Sequence, residues 1–323
     1  MSILADERTN IIVQGITGRE GTILVRDSLD YGARIVGGTS PGKGGRDIYG
    51  VPVYDCIRQM NNSDGIDASI VVVPPAFVKD AVFEAIDNKI ELIIIVTERV
   101  PRRDTVEILC LAKERGARII GPNSLGLISP GKTKLGMIGG PAEDVRKAYQ
   151  GGYVGIISRS GGMTTEIASS LTIKGIGQST CISIGGDPIV GSTFIDLLPL
   201  YQKDPCTKAL LLFCEPGGTM EEDLAEYVTK NGLPLPIIAF VAGRFADKMP
   251  GVRFGHAASI VEGGKGRTQE KIRRFKRSMG KLFKVSPTTY SLSQTSLKHS
   301  SYWVGCPLKF CTFMFAMDHT LRQ

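Results

Sequence analysis

The chain has 323 residues, of which 42% are hydrophobic and 22% are charged, and it contains 39 glycines. This composition is ordinary for a globular protein of about two domains, and its many glycines suit an α/β fold with tight turns between strands and helices. No apolar run reaches the roughly 18 residues that a membrane span needs. The N-terminus has acidic residues and no long apolar core, so we expect a cytoplasmic protein without a membrane partner.

The net charge of +7 is unevenly distributed. Nine Lys and Arg residues stand against one acid between Lys265 and Lys284, whereas residues 1–264 carry a small net negative charge. The basic character therefore lies near the C-terminus, and we expect no nucleic-acid partner for the folded body. The seven cysteines form no CxxC pair and have no histidine at metal-ligand spacing, so we expect reduced thiols and no metal site.

Residues 1 to about 125 alternate short apolar runs with amphipathic stretches. The predicted strands are 11–14, 35–38, 69–73, 92–97 and 117–120, and the predicted helices are 21–31, 78–89 and 105–115. Strands that alternate with helices predict a parallel, doubly wound sheet. The run of isoleucines in 92–97 lacks polar alternation, which is typical of a strand that is buried on both faces.

A second alternating series follows a stretch rich in Gly, Pro and Lys, which we interpret as a linker. Its predicted strands are 154–158, 181–184, 209–214 and 237–241, and its predicted helices are 164–174, 192–202 and 220–231. The sequence thus predicts a Rossmann-like domain (1–127), a linker (128–152), a flavodoxin-like domain (153–276) and an atypical C-terminal tail (277–323), with mainly parallel sheets in both domains.

Glycines follow the first predicted strand, at Gly15, Gly18 and Gly21. Glycine there lets the backbone turn sharply and approach a phosphate, while the next helix offers free N–H groups. The pattern is nearly a dinucleotide fingerprint, so NAD(P) is an open alternative. The second strand, however, ends in a glycine loop with Lys43 instead of the acid that usually binds an NAD ribose, which favours a phosphate ligand.

Further candidate groups stand where later strands of the first domain end. They are Val73-Pro74, Glu98 and Asn123. Open α/β sheets bind ligands at this carboxyl edge. In the second domain, Ser160, Gly161 and Gly162 come between a strand and a helix. A helix N-terminus at this place is an anion site, although a simple N-cap would also explain Ser160.

His256 is the only histidine in the first 298 residues, and it lies between a glycine and small residues. An accessible imidazole near its pKa is a usable nucleophile and leaving group for phosphoryl transfer. Glu215 stands at a strand end of the same domain. A carboxylate that binds the far ring nitrogen would orient the imidazole and raise its nucleophilicity.

Over residues 1 to about 273 the order and spacing of these segments resemble the α subunits of succinyl-CoA synthetases. The most distinctive segments are VQGITGREGT (13–22), VGGTSPGKGG (36–45), GIISRSGGMTTE (155–166), GGDPIVGSTFID (185–196) and GHAASIVEGGKG (255–266). The resemblance implies a ligase whose partner β subunit, of ATP-grasp fold, binds ATP or GTP with Mg²⁺, as an αβ or (αβ)₂ assembly. It implies that phosphate passes to His256, then to a small carboxylic acid as an acyl phosphate that CoA attacks.

The resemblance also implies roles for particular residues. Glu215 would contact the active histidine, and Ser160, Gly161 and Gly162 would bind phosphate. The expected CoA-binding residues, from the resemblance and the strand-end motifs together, are Gly15, Thr17, Gly18, Arg19, Glu20, Gly21, Lys43, Val73, Pro74, Glu98 and Asn123.

The chain departs from the family pattern in several places, including GHAAS in place of GHAGA and an unrecognised sequence beyond about Arg277. We hypothesise that this tail arose from a frameshift or a misjoined reading frame. Three alternatives stay open: a malate–CoA or citrate–CoA ligase subunit, a non-catalytic CoA-binding partner, and an NAD(P)-dependent oxidoreductase. The choice between ATP and GTP lies in the partner subunit.

Overall fold

A computed structural model describes residues 2–60, 65–232, 235–249, 251–252, 255–261, 266–279 and 283–285. The elements of the first sheet region are β1 (Ile11–Gln14), α1 (Arg19–Tyr31), β2 (Ile35–Thr39), β3 (Asp47–Ile48), β4 (Val51–Tyr54), β5 (Ala68–Val71), α2 (Val78–Asp87), β6 (Leu92–Ile95), α3 (Arg102–Arg115) and β7 (Arg118–Ile120). The predicted strands and helices of this region are therefore confirmed, and the sequence did not predict β3 and β4.

The first sheet has the strand order β3-β4-β2-β1-β5-β6-β7. All neighbours are parallel except β3 and β4 at the edge. The six parallel strands follow the 3-2-1-4-5-6 order of a Rossmann fold. Every residue of β1, β5 and β6 is buried, because helices cover both faces of a doubly wound sheet.

The remaining elements form a second layered unit. They are β8 (Gly126–Ser129), β9 (Thr133–Leu135), α4 (Ala142–Ala148), β10 (Gly151–Ser158), α5 (Gly161–Thr172), β11 (Gln178–Ser183), α6 (Phe194–Lys203), β12 (Ala209–Cys214), α7 (Met220–Asn231), β13 (Ile237–Val241), α8 (Thr268–Met279) and β14 (Phe283–Val285). The sheet order is β14-β13-β12-β10-β11-β8-β9. Its five parallel strands, read from β11, follow the 2-1-3-4-5 order of flavodoxin, so the predicted fold class is confirmed for both sheets.

The sheet corrects two parts of the predicted domain organisation. The segment 128–152, interpreted as a linker from its Gly, Pro and Lys content, contains β9, α4 and the second half of β8, and β8 pairs antiparallel with β11. The strand β14 lies beyond residue 277 and pairs parallel with β13, so part of the predicted tail belongs to the second sheet. Composition could not show this for β8 and β9, because they contain Gly, Ser, Thr and Lys, which are typical of loops, although every residue of both strands is buried. The frameshift hypothesis concerns the sequence beyond about Arg277, of which residues 280–282 and 286–323 lie outside the described residues.

None of the described helices is long and apolar enough to cross a membrane. Two glycines end helices of the first unit in the left-handed conformation that favours glycine. Gly32 (φ 107°) donates its N–H to Ser28 O and Leu29 O at the end of α1, and Gly116 (φ 77°) ends α3.

A lysine is buried where β9 packs against α1. Lys134 has no exposed side-chain surface, and its Nζ donates to Gly140 O at 2.7 Å. Burial disfavours the ammonium and lowers the pKa of Lys134 to about 8, although the carboxylate of Asp27 opposes this shift. The buried ammonium therefore costs stability at neutral pH.

We expect Lys134→Met to be more stable than the wild type by about 1 kcal/mol at pH 7, because the desolvation cost exceeds one hydrogen bond. Since the folded pKa of this base is lowered, the unfolded chain binds more protons between pH about 8 and the ordinary lysine pKa of about 10.4. Wild-type stability should rise in that window relative to the variant. Chemical denaturation at pH 7 to 10.5 measures this, and exposed Lys147→Met is the control. A constant difference between wild type and variant would contradict it.

Candidate active site

The glycine turn after β1 is built as a close backbone crossing. Gly15 has φ 90°, and a Cβ on it would lie 2.8 Å from Val72 O, while a Cβ on Gly21 would overlap Gly15 O. Gly18 precedes the first turn of α1, where Arg19 and Glu20 are exposed. The turn therefore presents the N-terminus of α1, an anion-binding arrangement, at the carboxyl edge of the first sheet.

A polar cluster lies beside this turn. Thr17 Oγ1 bonds to Ser40 Oγ at 2.9 Å, and Lys43 Nζ donates to Thr17 Oγ1 at 3.1 Å. Lys43 is exposed. The two glycine loops that follow β1 and β2 thus meet, and the exposed ammonium of Lys43 lies close to the N-terminus of α1.

The other predicted CoA-binding groups lie along the same edge but do not all touch one another. Val73 and Pro74 follow β5, and Val73 O accepts from Thr97 Oγ1 at 2.7 Å. Glu98 follows β6; its side chain is 61% exposed and pairs with the adjacent Arg99 at 3.5 Å. The edge therefore leaves the Glu98 carboxylate open to a ligand.

Asn123 lies where the two sheets meet. It follows β7 with φ 57°, and its Nδ2 donates to Asp187 Oδ1 in the second unit at 3.0 Å. Its carbonyl accepts from Gly186 N at 3.2 Å, and a Cβ on Gly185 would overlap Pro122 O. The side chain that we predicted to bind cofactor thus joins the first carboxyl edge to the second.

The start of α5 has the geometry that an anion site requires. Ser160 is its N-cap, with extended backbone, and its Oγ lies 3.5 Å from Met163 N. Gly161 packs against Leu125, where a Cβ would overlap the leucine side chain, and a Cβ on Gly162 would meet open space. The first N–H groups of α5 therefore face an accessible region.

His256 and Glu215, 41 residues apart in the chain, form one hydrogen-bonded pair. Nδ1 of His256 lies 2.8 Å from Glu215 Oε2, and Ser259 Oγ donates to the same oxygen at 3.1 Å. The imidazole is 29% exposed and the carboxylate 12%. No described residue makes a hydrogen bond to Nε2 of His256, so one ring nitrogen is held and the other is available.

The hydrogen bond that Glu215 accepts from the imidazole raises the pKa of His256, against the effect of burial, which lowers it. The charge of Glu215 and that of Asp187 also raise this pKa, and the guanidinium of Arg159 lowers it. The carboxylate therefore fixes the ring orientation and favours a proton on Nδ1.

Sequence reasoning missed several groups of this site. A Cβ on Gly186 would overlap the imidazole of His256, so this glycine makes room for the ring. Asp187 is buried next to it, and Arg159 lies buried at the end of β10. The Gly-Gly-Asp turn after β11 was visible in the sequence as a tight turn, whereas nothing in the sequence marked Arg159 as buried.

Family models match both halves of the chain. One described as a CoA binding domain matches residues 6–99, and one described as a CoA-ligase matches residues 157–277. Among solved structures, ATP citrate lyase from Methanothrix soehngenii, in complex with citrate and coenzyme A, is similar with a TM-score of 0.79 at 23% identity, over 85% of this chain and 47% of that chain. At that identity the similarity shows the fold alone.

Curated relatives are similar over most of their length. The α subunit 1 of an ADP-forming succinate–CoA ligase from Archaeoglobus fulgidus is 43% identical, over 84% of this chain and 90% of its own. A subunit of an ADP-forming sulfoacetate–CoA ligase from an Acholeplasma species is 40% identical, over 87% and 94%. The corresponding succinate–CoA ligase subunit from Staphylococcus epidermidis is 41% identical, over 84% and 87%.

The first unit matches a CoA binding domain and the second matches a CoA-ligase domain. Together they define the class of protein, the α subunit of an acid–CoA ligase. The chain belongs to the family of the α subunits of ADP-forming acid–CoA ligases, which includes the succinate–CoA ligases. This membership decides between the enzyme classes left open by the sequence, and the NAD(P)-dependent oxidoreductase is rejected.

The hydrogen bond between Glu215 and His256 generates a prediction about titration. Glu215→Gln should lower the pKa of His256, because the neutral amide stabilises the imidazolium less than the carboxylate does. Since the folded pKa of His256 is raised, the stability that this pair contributes is present below the ordinary histidine pKa of about 6.5 and is lost as pH rises through the folded value. NMR titration, with the His256 signal assigned through His256→Asn, measures the shift.

Ser259→Ala removes the other group that holds Glu215 Oε2 and keeps the carboxylate, so it is the matched control. A pKa of His256 that is the same in Glu215→Gln and in the wild type would show that the pair does not form in solution.

Proposed function

We propose that the chain is the α subunit of a succinate–CoA ligase that uses His256 as a phosphate carrier. The observation that carries this proposal is the difference between the two ring nitrogens of His256. Nδ1 is held at 2.8 Å from Glu215, and Nε2 is free of described partners on a ring that is 29% exposed. A proton on Nδ1 leaves the lone pair on Nε2, which is the nucleophile that phosphoryl transfer needs.

The proposed reaction has three steps. Nε2 of His256 takes the γ-phosphoryl group of a nucleoside triphosphate, and the bond to the leaving diphosphate breaks. A carboxylate oxygen of succinate then attacks this phosphorus, the N–P bond breaks, and succinyl phosphate forms while the imidazole is regenerated. The sulfur of CoA then attacks the acyl carbon, the bond from this carbon to the phosphate oxygen breaks, and succinyl-CoA forms. The thiol proton passes to the leaving phosphate or to solvent.

Glu215 stabilises the imidazole in each step. The imidazole gains positive charge when Nε2 bonds to phosphorus, and it loses that charge when the phosphoryl group leaves. The carboxylate accepts the hydrogen bond from Nδ1 and so stabilises the positive charge. The N-terminus of α5, with Ser160, Gly161 and Gly162, supplies N–H donors and positive dipole for the phosphoryl oxygens. These donors compensate the repulsion between the phosphoryl group and the nearby carboxylate.

We propose that CoA binds along the carboxyl edge of the first sheet. Lys43 and the N-terminus of α1 would bind its phosphates, since both offer donors or positive potential beside Thr17. Glu98 and the Val73-Pro74 backbone would contact the remainder, and Asn123 would lie where this edge meets the His256 loop. CoA is thus the ligand of this chain itself.

The nucleotide with its Mg²⁺ would bind on a separate ATP-grasp β subunit, in an αβ or (αβ)₂ assembly in the cytoplasm.

A second candidate function differs only in the acid substrate. The sulfoacetate–CoA ligase subunit is 40% identical, close to the values of the succinate–CoA ligase subunits, so a different small acid would fit the same mechanism.

Labelling tests this proposal. With its β partner and γ-labelled ATP or GTP, the chain should acquire acid-labile, alkali-stable phosphate, as a phosphoramidate does, and His256→Asn should acquire none. Succinate plus CoA should discharge the label. Discharge only by sulfoacetate, malate or citrate would keep the mechanism and reject succinate.

The His256→Asn complex must retain the assembly and CoA binding of the wild type, so that loss of label reports chemistry. Undiminished label in this variant, or no label from a folded wild-type complex, would reject the phosphohistidine mechanism.

A second prediction concerns CoA. Lys43→Ala should raise the KM for CoA about tenfold or more, since a charge-assisted bond to phosphate is lost, and should change kcat little. Labelling of His256, which precedes CoA, should be unaffected. The exposed Lys147→Ala is the control, and an unchanged KM in Lys43→Ala would remove Lys43 from the CoA site.

A further inference from the structure

Three fully buried charged side chains lie behind the loop that carries Glu215. They are Arg159 at the end of β10, Glu221 in the first turn of α7 and Lys271 in α8, and each side chain has 0% exposure. Glu221 accepts from Arg159 Nη1 at 3.3 Å and forms a close ion pair with Lys271 Nζ. Glu222, 8% exposed, accepts from the same Nζ at 3.1 Å.

Both cations also bind the backbone of the loop from Glu215 to Gly218. Nη1 of Arg159 donates to the carbonyl oxygens of Glu215 at 3.1 Å and of Gly217 at 3.0 Å. Nζ of Lys271 donates to the carbonyl oxygen of Gly218 at 3.0 Å. Three of the four loop carbonyls are therefore fixed by two buried cations.

The loop in turn contacts the segment that carries His256. Gly217 has φ 79°, and a Cβ on it would overlap Ala258 O, so the two backbones pack directly. A second backbone bond runs from Gly217 N to Gly266 O at 2.9 Å. A shift of the loop would therefore move both the Glu215 carboxylate and the backbone beside His256.

Stability alone is a poor explanation for this arrangement. Removing charges from water costs free energy, and a buried ion pair often contributes no more than apolar packing of similar volume would. Nε and Nη2 of Arg159 are buried and make no hydrogen bond with the described residues, which adds to the cost. Burial raises the pKa of Glu221, but the charges of Lys271 and Arg159 outweigh burial and lower this pKa, so the Glu221 carboxylate stays ionised.

We propose that Arg159, assisted by Lys271, is a positioning residue that holds the Glu215 loop so that the carboxylate faces Nδ1 of His256. Arg159 acts through Glu215, and it also immediately precedes Ser160, the N-cap of α5. Arg159 therefore links the N-terminus of α5, which would bind phosphate, to Glu215, which orients the imidazole of His256. Lys271 extends this coupling to α8.

Arg159→Lys separates positioning from charge. Lysine keeps the positive charge that lowers the pKa of His256. Its side chain is one bond shorter, however, so its Nζ cannot occupy the position from which Nη1 of Arg159 binds Glu215 O, Gly217 O and Glu221. The Glu215–His256 bond should therefore weaken in Arg159→Lys, and the pKa of His256 in NMR titration should fall. Glu215, Asp187 and Arg159 are the charged groups that influence His256 and must be considered in this titration.

A double-mutant cycle makes the test specific. In the Glu215→Gln background, Arg159→Lys should shift the pKa of His256 no further, because the group through which it acts is gone. Tyr201→Phe, which removes a fully buried hydroxyl bonded to Ile156 O and Thr180 O in the same unit, controls for general destabilisation and should leave the pKa unchanged. The proposal would be overturned if Arg159→Lys shifted the pKa of His256 equally in the wild-type and Glu215→Gln backgrounds. It would also be overturned if Arg159→Lys did not shift this pKa in the wild-type background.

The same variants have a second readout that rests on the proposed function. Arg159→Lys should slow phosphoryl labelling about tenfold in the complex with the β partner, since misplacement of a catalytic group by about 1 Å is costly.

If Arg159→Lys does not fold, Glu221→Gln takes its place, because it keeps the shape of the shared acceptor and removes the charge that binds both cations. Titration needs no nucleotide or partner. Absence of labelling in the wild type would therefore reject the proposed function while the titration still decides the role of Arg159.

Discussion

The carbonyl groups of Pro122 and Asn123 press against Gly185 and Gly186, and this contact brings the carboxyl edges of two separate sheets together. Each sheet on its own offers glycine turns and helix N-termini, as open parallel sheets do. Only their contact places the loop that contains Asn123 next to the turn that makes room for His256. A side chain at Gly185 would overlap Pro122 O and separate the two edges, whereas a side chain at Gly186 would displace the imidazole of His256.

Within the second unit, electrostatics are arranged in layers around this contact. The outer layer is the His256–Glu215 pair, which is partly exposed. The inner layer consists of Arg159, Glu221 and Lys271, whose side chains are fully buried. Because Arg159 and Lys271 bind three backbone carbonyls of the loop that begins at Glu215, the inner layer fixes the backbone that carries the Glu215 carboxylate.

The sequence was a good guide where local rules dominate. Strands such as β1, β12 and β13 and the helix α7 have the predicted bounds, because continuous apolar runs and amphipathic periods are local properties. Prediction was wrong for the segment 128–152, because β8 joins the second sheet by pairing with β11, which is distant in the sequence, and β9 extends the sheet from β8. The close approach of His256 to Glu215 was expected from the resemblance to a family, whereas the roles of Gly186, Asp187 and Arg159 were not.

The sequence by itself determined the two parallel-sheet units, the glycine turns at their carboxyl edges and the accessible histidine, since each depends on residue types within one short stretch. Only the tertiary structure decided which ring nitrogen of His256 is held, and which charges lie buried behind Glu215. Those features depend on packing between β10, α7 and α8, which are far apart in the chain. A charged residue in a sequence is exposed by default, and only the fold shows that Arg159, Glu221 and Lys271 are exceptions.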